Sequence, residues 1–466
     1  MIQKQLQVLI LSLLLVGTFS QIQVLSPESA VNQFSGNTII NITMGNFGYI
    51  PWGQNIAGPL YIPDQKDIHA CQPMQTFNMD DFQYEQFPIV MVKRGGDCTF
   101  VTKAINVQKA GGKAMVIYDN TYEDSEHIRL GDDGNGDKVY IPVVFISELN
   151  GEKLLRAKNQ LNSGHVMIRM QFDIKQTDLV SVGFFLSLPD DRGNLFIADY
   201  YELIYPHTDL SKVDLYPIYQ FYSLYDTGDN YNTEKPNCLG GGKYCCTDPD
   251  GVQGTADGRQ IAWEQLRQLC VHKALGVENW FKYILEFTDY QCKPQAYNEC
   301  HKKVMQTLKL SKNDQKDFDQ CVENSFENKY NNNVGRNSIL EEQIYLIKNS
   351  GVVSWPGVHI NNITYSGKYS VYPVEDAICA AQLKPSARCK KILAGGFDTS
   401  SKNLNEGSST WGIIFIIVAI LSVVFTLVLF LYKKYLRRQM NKEIKGQVNQ
   451  MVSNYVKFYE ARQTEQ

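Results

Sequence analysis

The chain has 466 residues, of which 44% are hydrophobic and 12% aromatic, and its formal net charge is -4. This length allows two or three domains, and the apolar content excludes an intrinsically disordered chain. The charge neither favours nor excludes nucleic acid, but no basic stripe lies outside the C-terminal tail, so we expect no nucleic-acid partner.

The N-terminus has the features of a secretory signal peptide. An apolar run at residues 8–16 is too short to span a bilayer, and a basic residue precedes it. Thr18 and Ser20 are small residues at the -3 and -1 positions of a cleavage site. The sequence therefore predicts a signal peptide over residues 1–20 and a mature chain that begins at Gln21.

A strand, a polar loop, a helix and a second strand follow each other in the first luminal region, residues 21–176. The strands are apolar runs at 87–92 and 114–118, and the helix at 100–111 carries an apolar stripe of period 3.6. The loop at 94–100 would offer free backbone N–H groups at the helix N-terminus, which either Thr99 or Asp97 could cap. A second strand and helix are expected at 139–147 and 151–159.

A short acidic stretch, Asp-Gly-Asn-Gly-Asp at residues 133–137, has the beginning of a calcium-binding loop. Its twelfth position is Val144 instead of Glu, and no helix pair flanks it. The sequence favours a polar turn, and no metal ion or other cofactor is expected.

The second luminal region, residues 177–389, contains strands, then a block of helices, then a late strand. The strands are expected at 195–205 and 213–223 and the late strand at 352–361; the helices are expected at 258–275, 278–290 and 294–310. This order predicts an α/β (α+β) domain, thioredoxin-like with a helical insertion. A redox site in that fold needs a Cys-x-x-Cys motif after the first strand, and residues 206–210 contain no cysteine.

All 11 cysteines lie between Cys71 and Cys389, which is typical of a segment that folds in an oxidising lumen. The alternative is a set of reduced, buried cysteines in a cytosolic protein. Because the count is odd, one thiol is free or pairs between chains, and the adjacent Cys245 and Cys246 are the expected place for it. The remaining cysteines of the second region are expected to cross-link the insertion and the C-terminal end.

A stalk at 390–410 leads to an uncharged apolar stretch at 411–432, long enough to cross a bilayer. Basic residues follow at once, namely Lys433, Lys434, Arg437 and Arg438, and they predict a cytosolic tail at 433–466. The protein is thus expected to be a single-pass type I membrane protein. Asn41 and Asn362, each in an Asn-x-Thr sequon, would then be luminal glycosylation sites.

The tail contains Tyr455 and Phe458 in a Tyr-x-x-bulky-apolar pattern. Cytosolic coat adaptors bind such a motif as an extended peptide, with one pocket for each of the two side chains. The alternative is an ordinary amphipathic patch.

The first region resembles a protease-associated domain. The resemblance rests on Arg-Gly-Gly-Asp-Cys-Thr-Phe at 94–100, Lys-Ala at 103–104, Asn-Val-Gln-Lys-Ala-Gly at 106–111 and Ile-Pro at 141–142. It implies a disulfide between Cys71 and Cys98. The family usually has Arg-Gly-x-Cys, so the extra residue before Cys98 makes the transfer of a role to Asp97 more direct than the transfer to Arg94.

The second region resembles the central region of the plant-type vacuolar sorting receptors, which place it directly after a protease-associated domain. Leu-Arg-Gln-Leu-Cys-Val at 266–271, Asp-Gly-Arg-Gln at 257–260 and Tyr-Ser-Gly-Lys at 365–368 carry this resemblance, with Pro356 as a candidate cis-proline. The epidermal-growth-factor-like repeats of that family are missing, because the stalk contains no cysteine.

The two resemblances imply a cargo receptor of the Golgi–endosome–vacuole or lysosome-like route, with soluble hydrolases as cargo and coat adaptors as cytosolic partners. Three segments of the protease-associated domain would meet around the cargo peptide. Their residues are Asn46, Phe47 and Gly48; Arg94, Gly95, Gly96, Asp97, Thr99 and Phe100; and Glu126, His127 and Ile128. There Asp97 would accept hydrogen bonds or pair with a basic group, and Arg94 would hold backbone carbonyls or a carboxylate. His127 would be a candidate sensor for release at acidic pH.

Catalysis is not expected. The sequence has no His-Glu-x-x-His, no Gly-x-Ser-x-Gly and no Cys-x-x-Cys motif. The tail has no cysteine and hence no zinc-binding ligase domain. Two alternatives remain open at this point, a luminal thiol oxidoreductase and a cell-surface interaction protein.

Overall fold

The computed structural model describes residues 20–78, 87–122, 128, 130–227, 235–252, 254, 256–328, 335–351 and 355–395. The expected signal peptide, membrane span and tail motif therefore lie outside the described residues, apart from Ser20. Within those ranges, the structure contains no helix with the length and apolar character that a bilayer crossing requires.

The first region is built on an eight-stranded sheet with the order β2-β1-β8-β4-β5-β6-β7-β3. Its strands are β1 (Gln21–Ser26), β2 (Ile39–Asn41), β3 (Thr43–Met44), β4 (Asn55–Tyr61), β5 (Ile89–Lys93), β6 (Ala114–Tyr118), β7 (Val143–Ile146) and β8 (Met167–Gln171). Strands β4 to β7 are mutually parallel, and the outer pairs are antiparallel. Every residue of β6 is buried, as expected of a parallel strand covered on both faces.

Three helices accompany this sheet, α1 (Glu28–Asn32), α2 (Phe100–Lys109) and α3 (Glu148–Asn159). Helix α2 lies in the connection between β5 and β6 and buries Val101, Ala104 and Val107. The expected strand–loop–helix–strand order is confirmed. Helix α3 begins before the expected residue 151 because the Ser147 hydroxyl caps it, accepting a hydrogen bond from the Asn150 backbone N–H at 3.4 Å.

The second region has a four-stranded sheet with the order β10-β9-β13-β14. Its strands are β9 (Val180–Leu186), β10 (Val213–Tyr219), β13 (Gly357–Ile360) and β14 (Ile363–Thr364). Strand β9 pairs parallel with β10 and antiparallel with β13, and a short separate hairpin is formed by β11 (Cys238–Leu239) and β12 (Tyr244–Cys245). The mixed α/β class and the thioredoxin-like sheet are as predicted.

The expected strand at 195–205 is wrong. That stretch belongs to helix α4 (Asp191–Leu203), which joins β9 to β10, and the first strand is β9 upstream of it. Phe196, Ile197 and Tyr200 are the buried large side chains of α4, and their spacing is helical. The aromatic content of the stretch favoured a strand, whereas the spacing of its apolar residues decides for a helix.

The inserted helices follow a short α5 (Leu224–Thr227). They are α6 (Gly258–Leu275), α7 (Val277–Asp289), α8 (Tyr297–Thr307), α9 (Lys312–Ser325) and α10 (Ser338–Ser350), and α11 (Val371–Ala380) and α12 (Ala387–Ala394) end the described chain. The first three inserted helices match the expected ones closely. Helix α9 was not predicted, because it is mostly polar and buries only Phe318 and Ser325.

Five disulfides cross-link the two regions internally, joining Cys71–Cys98, Cys238–Cys245, Cys270–Cys321, Cys292–Cys300 and Cys379–Cys389. The first is the pair that the resemblance implied. Cys246 is free and buried, so the leftover thiol lies in the adjacent pair, as expected.

The two regions contact each other through segment 45–53 of the first and residues 365–376 of the second. The backbone N–H of Gly367 donates to the Gly45 carbonyl at 2.9 Å, and that of Lys368 donates to the Gly48 carbonyl at 2.6 Å. The Tyr49 hydroxyl donates to the Asp376 carboxylate at 2.8 Å. The first region therefore lies on the second through backbone as well as side-chain contacts.

Candidate functional site

The loop at 94–100 lies at the carboxyl end of β5. Because β5 and β6 are parallel neighbours, with Lys93 paired to Tyr118, the residues that follow β6 lie beside this loop. Ligands of open α/β sheets bind at the carboxyl ends of such strands. The fold thus places the loop where a cleft can form.

Two glycines let the loop pack closely on the segment before β5. Gly95 and Gly96 have φ of 92° and 82°, the left-handed region that other residues rarely adopt. A Cβ at Gly96 would lie 2.6 Å from the Cβ of His69. The Cys71–Cys98 disulfide fixes the same two segments covalently. The loop is therefore held in one conformation from two sides.

A buried lysine supports the loop from below. Lys103 on α2 is fully buried, and its Nζ donates to the carbonyl oxygens of His69 at 2.5 Å and Gly95 at 2.6 Å. Burial lowers the pKa of this amine to about 8. We did not assign Lys103 a role from the sequence; the available signal was a charged residue one position from the apolar stripe of α2.

Arg94 is engaged by a carboxylate of the protein itself. Its Nη1 lies 3.0 Å from Oδ1 of Asp119, which is fully buried at the end of β6. The same Oδ1 accepts the backbone N–H of Asn120 at 2.8 Å. Sequence reasoning gave Arg94 the task of holding a ligand carboxylate or carbonyl and missed Asp119, an acid placed directly after a buried strand.

Asp97 and Thr99 have different positions in the loop. The Thr99 hydroxyl accepts the Thr102 backbone N–H at 3.1 Å, so Thr99 is the cap of α2. Asp97 does not cap the helix. Its backbone φ is 58°, and the residue is exposed to solvent. Of the two residues that could have capped α2, Asp97 is the one whose side chain can face a ligand.

A cleft of about 590 Å³ opens along this loop. Its lining residues come from the loop, from the end of β6 and from the turn after Leu130. They are Arg94, Gly95, Cys98, Thr99, Phe100, Asn120, Thr121, Gly131, Asp132 and Asp133. Four predicted residues thus share the cleft, and Gly96 and Asp97 belong to the same loop without lining it.

One wall of the cleft is the acidic stretch that sequence analysis treated as a polar turn. Asp132 Oδ1 accepts the backbone N–H of Gly136 at 2.7 Å, and Asp133 Oδ1 accepts that of Asn135 at 3.0 Å, as side chains do in such turns. The Thr99 hydroxyl donates to Asp133 Oδ2 at 2.6 Å. This hydrogen bond lowers the pKa of Asp133. The residues of this turn are not among those predicted from the sequence to bind cargo.

The other predicted cargo residues do not gather here. Phe47 and Ile128 are 1% and 9% exposed and belong to one hydrophobic cluster, so their assignment as surface contacts is wrong. Gly48 is buried where its carbonyl meets the second region, whereas Asn46 is exposed. Glu126 and His127 lie outside the described residues.

The second region has its own loop between a parallel strand and a helix, residues 187–190. It stands where a thioredoxin-like fold would carry its thiols, and it contains no cysteine. The earlier prediction that residues 206–210 occupy this place is wrong, because they follow helix α4 and not the first strand. Asp190 caps α4, and Arg192 donates to Asp190 at 2.6 Å and to the Trp355 carbonyl at 3.3 Å.

Pro356 is in the cis form, as proposed, and its Cβ would lie 3.4 Å from a Cβ built at Gly193 near the start of α4. The free thiol lies elsewhere. Cys246 is buried, and burial raises its pKa, so it is not a thiolate at neutral pH. The described part of the second region therefore contains no redox-active pair at this loop.

Comparison with known proteins matches both regions. Residues 56–154 match the PA domain family, and residues 198–379 match the family described as vacuolar sorting receptor thioredoxin-like domain. The predicted resemblance to the vacuolar sorting receptor family is confirmed. The description of the family matched by residues 198–379 names a receptor domain, and neither family description names an enzyme.

Vacuolar-sorting receptor 3 of Arabidopsis thaliana is 25% identical over 78% of this chain and 59% of its own length. Vacuolar-sorting receptor 1 of Pisum sativum is 26% identical over 72% of this chain and 56% of its own length. This chain thus spans about three fifths of the length of the curated relatives that it matches. A zinc aminopeptidase from Bacillus subtilis aligns over 47% of this chain and 62% of its own, at 16% identity and a TM-score of 0.22.

Proposed function

We propose that the protein is a transmembrane cargo receptor that binds sorting peptides of soluble hydrolases in the lumen, for transport from the Golgi to a vacuole or lysosome-like compartment. The observation that carries the proposal is the cleft along residues 94–100, within a pair of domains shared with vacuolar sorting receptors. Nothing favours the oxidoreductase alternative, because the loop at 187–190 has no thiol and Cys246 is buried.

An extended peptide would lie along the loop, which Lys103, Cys71 and the two glycines hold in place before binding. A fixed loop loses less conformational entropy when a ligand binds than a mobile one does. Thr99, which lines the cleft, and Asp97, which is exposed in the same loop outside it, would contact the peptide with polar groups. Phe100, which is partly exposed, would contact it with an apolar face. Arg94 would act through Asp119 to shape the cleft wall.

The proposed layout keeps residues 21–176 and 177–389 as luminal domains, with 390–410 as stalk, 411–432 as membrane span and 433–466 as tail. Tyr455 and Phe458 would bind coat adaptors, and Asn41 and Asn362 would carry glycans. Both asparagines are exposed, which supports the glycan proposal. If Tyr455→Ala leaves the steady-state location of the full chain unchanged, the adaptor proposal fails and a cell-surface interaction protein gains support.

Cargo capture by the full-length protein tests the receptor proposal. The detergent-solubilised chain is immobilised and incubated with soluble luminal proteins at neutral pH and at about pH 5, where histidine becomes charged. We expect hydrolases to be recovered at one pH and released at the other. Recovery of none at either pH would contradict the proposal.

Gly96→Ala tests whether the loop at 94–100 is needed for cargo capture. The added Cβ has no room, and the left-handed φ is unfavourable for alanine. Gly164→Ala is its control, with φ of 84° and nothing within 4 Å of the new Cβ. We expect the first change to abolish capture and the second to leave it. His127→Gln tests the proposed pH sensor separately: an unaltered pH dependence would exclude it.

A further inference from the structure

We infer that the cleft along residues 94–100 selects peptides that carry a cationic side chain, lysine or arginine, which the acidic wall at Asp132 and Asp133 recognises. This inference rests on the proposed function and specifies its ligand. It differs from the expectation from the sequence that Arg94 would hold backbone carbonyls or a carboxylate of the cargo.

Two positively charged residues next to the cleft, Arg94 and Lys103, are already engaged inside the protein. Arg94 forms its 3.0 Å ion pair with the fully buried Asp119, so a ligand carboxylate would have to compete with a fixed internal one. Lys103 is itself fully buried and donates to the carbonyl oxygens of Gly95 in the loop and of His69 in the segment before β5. Neither cation is therefore presented to a ligand as an unpaired charge.

The negative charges of the wall are presented to solvent. Asp132 and Asp133 are both exposed and line the cleft. The turn orients them, because Asp132 Oδ1 accepts backbone N–H groups of Gly134 at 2.9 Å and Gly136 at 2.7 Å. Among the described residues, no hydrogen-bond donor reaches Asp132 Oδ2, which leaves this oxygen for a ligand.

Thr99 connects the wall to the loop. Its hydroxyl donates to Asp133 and accepts from the first turn of α2, so the acidic wall and the helix cap form one hydrogen-bonded unit. The pKa of Asp133 is lowered chiefly by this bond, so the carboxylate stays ionised in a mildly acidic compartment. A cationic side chain in the cleft would thus meet a carboxylate that keeps its charge along the whole proposed route.

The size of the effect follows from partly solvated charges. A single ion pair at a surface contributes little free energy of binding. Two carboxylates that the backbone orients in one cleft contribute more, because both attract the same cationic side chain. We expect about a tenfold preference for a lysine-containing over a glutamate-containing peptide, which corresponds to about 1.4 kcal/mol. Because the charges are solvated, the preference should shrink as the salt concentration rises from about 50 mM to about 500 mM.

The experiment uses the full-length chain in detergent and three fluorescent libraries of blocked decapeptides. One central position is fixed as lysine, glutamine or glutamate, and the other positions carry neutral residues. Fluorescence anisotropy gives the dissociation constant for each library. We expect the order lysine, glutamine, glutamate from tightest to weakest, with salt reducing the difference.

The double variant Asp132→Asn/Asp133→Asn assigns the preference to the wall. Asparagine keeps the Oδ1 acceptors of the turn, and an unchanged melting temperature verifies the fold. Asp137→Asn is the matched control, since Asp137 is exposed in the same stretch but does not line the cleft. We expect the lysine preference to disappear in the double variant and to persist in the control.

The outcomes separate this inference from the proposed function. Binding of all three libraries with equal affinity, or a lysine preference that survives in the double variant, would overturn the inference and leave peptide binding intact. Binding of no library at all would overturn both.

Discussion

Both regions place a loop between a parallel strand and the helix after it, but they use that loop differently. In the first, residues 94–99 between β5 and α2 contain two left-handed glycines and line a cleft. In the second, residues 187–190 between β9 and α4 are tied to the cis-proline segment through Arg192. The same geometric position lines a cleft in one region, where we propose that cargo binds, and makes internal contacts in the other.

The difference lies in which groups are left for solvent. In the second loop, the cap residue Asp190 accepts hydrogen bonds from the Arg192 guanidinium and from the Arg192 backbone N–H. In the first loop, the cap Thr99 adds a bond to an exposed acid, and Asp97 faces solvent. A helix N-terminus at the end of a strand is thus not a binding site by itself. Whether it can bind a ligand depends on which surrounding side chains are left without an internal partner.

Removing one disulfide from each region should give the largest loss in the free energy of unfolding. Cys71→Ser/Cys98→Ser opens a loop with a sequence separation of 27 and Cys379→Ser/Cys389→Ser one with a separation of 10. Loop-closure entropy predicts losses of about 3.5 and about 2.7 kcal/mol in the free energy of unfolding. Denaturant titration measures both. Only the first pair should also abolish peptide binding; loss of binding in both would show that the regions function as one unit.

The buried amine of Lys103 should make stability depend on pH in the first region. Its pKa is about 8 in the folded chain and about 10.5 when unfolded, so the unfolded state binds more protons between these values. Stability should therefore rise with pH, by about 2 kcal/mol from pH 7.5 to 9.5. Lys103→Met should lack this rise. The free energy of unfolding is measured by denaturant titration at each pH. An equal rise with pH in the wild type and in Lys103→Met would contradict the assignment of this pH dependence to Lys103.

Removing one helix cap from each region should cost less. Thr99→Val and Asp190→Ala each delete a side-chain acceptor at a helix N-terminus, at about 1 kcal/mol each. We expect similar falls in melting temperature. Thr99→Val should also weaken peptide binding, since it releases Asp133, whereas Asp190→Ala should not. Equal loss of binding would remove the functional distinction between the two loops.

The smallest effect is expected at Cys246. Its thiol is buried with a raised pKa, so a maleimide should not label the native protein and should label one cysteine after unfolding. Labelling is followed by mass spectrometry, with Cys246→Ala as the control. Rapid reaction in the native state would restore the oxidoreductase alternative.

The sequence predicted those features that depend on local pattern. The apolar run at 114–118 coincides with β6, and the cap, the disulfide and the leftover thiol were anticipated from residue types and resemblance. The helix α4 was missed because aromatic residues occur in both strands and helices, so only their spacing distinguishes the two.

Long-range contacts could not be predicted in the same way. Nothing near Arg94 in the chain announces Asp119, which lies 25 residues away and meets it only because β5 and β6 are parallel neighbours. Phe47 was expected at the surface for the same reason, because the cluster that buries it is assembled from distant segments. Tertiary pairing decides such cases, and one sequence carries no direct record of it.

The contact between segment 45–53 and residues 365–376 limits how the two domains can be exchanged. Its hydrogen bonds run from backbone to backbone at Gly45 and Gly48, and a Cβ at Gly367 would lie 2.9 Å from Ile50. A chimaera that joins this first domain to another receptor must therefore carry Gly367 and Asp376 with it. Exchange of either domain alone would leave these backbone hydrogen bonds without their partners, even though each domain has its own fold.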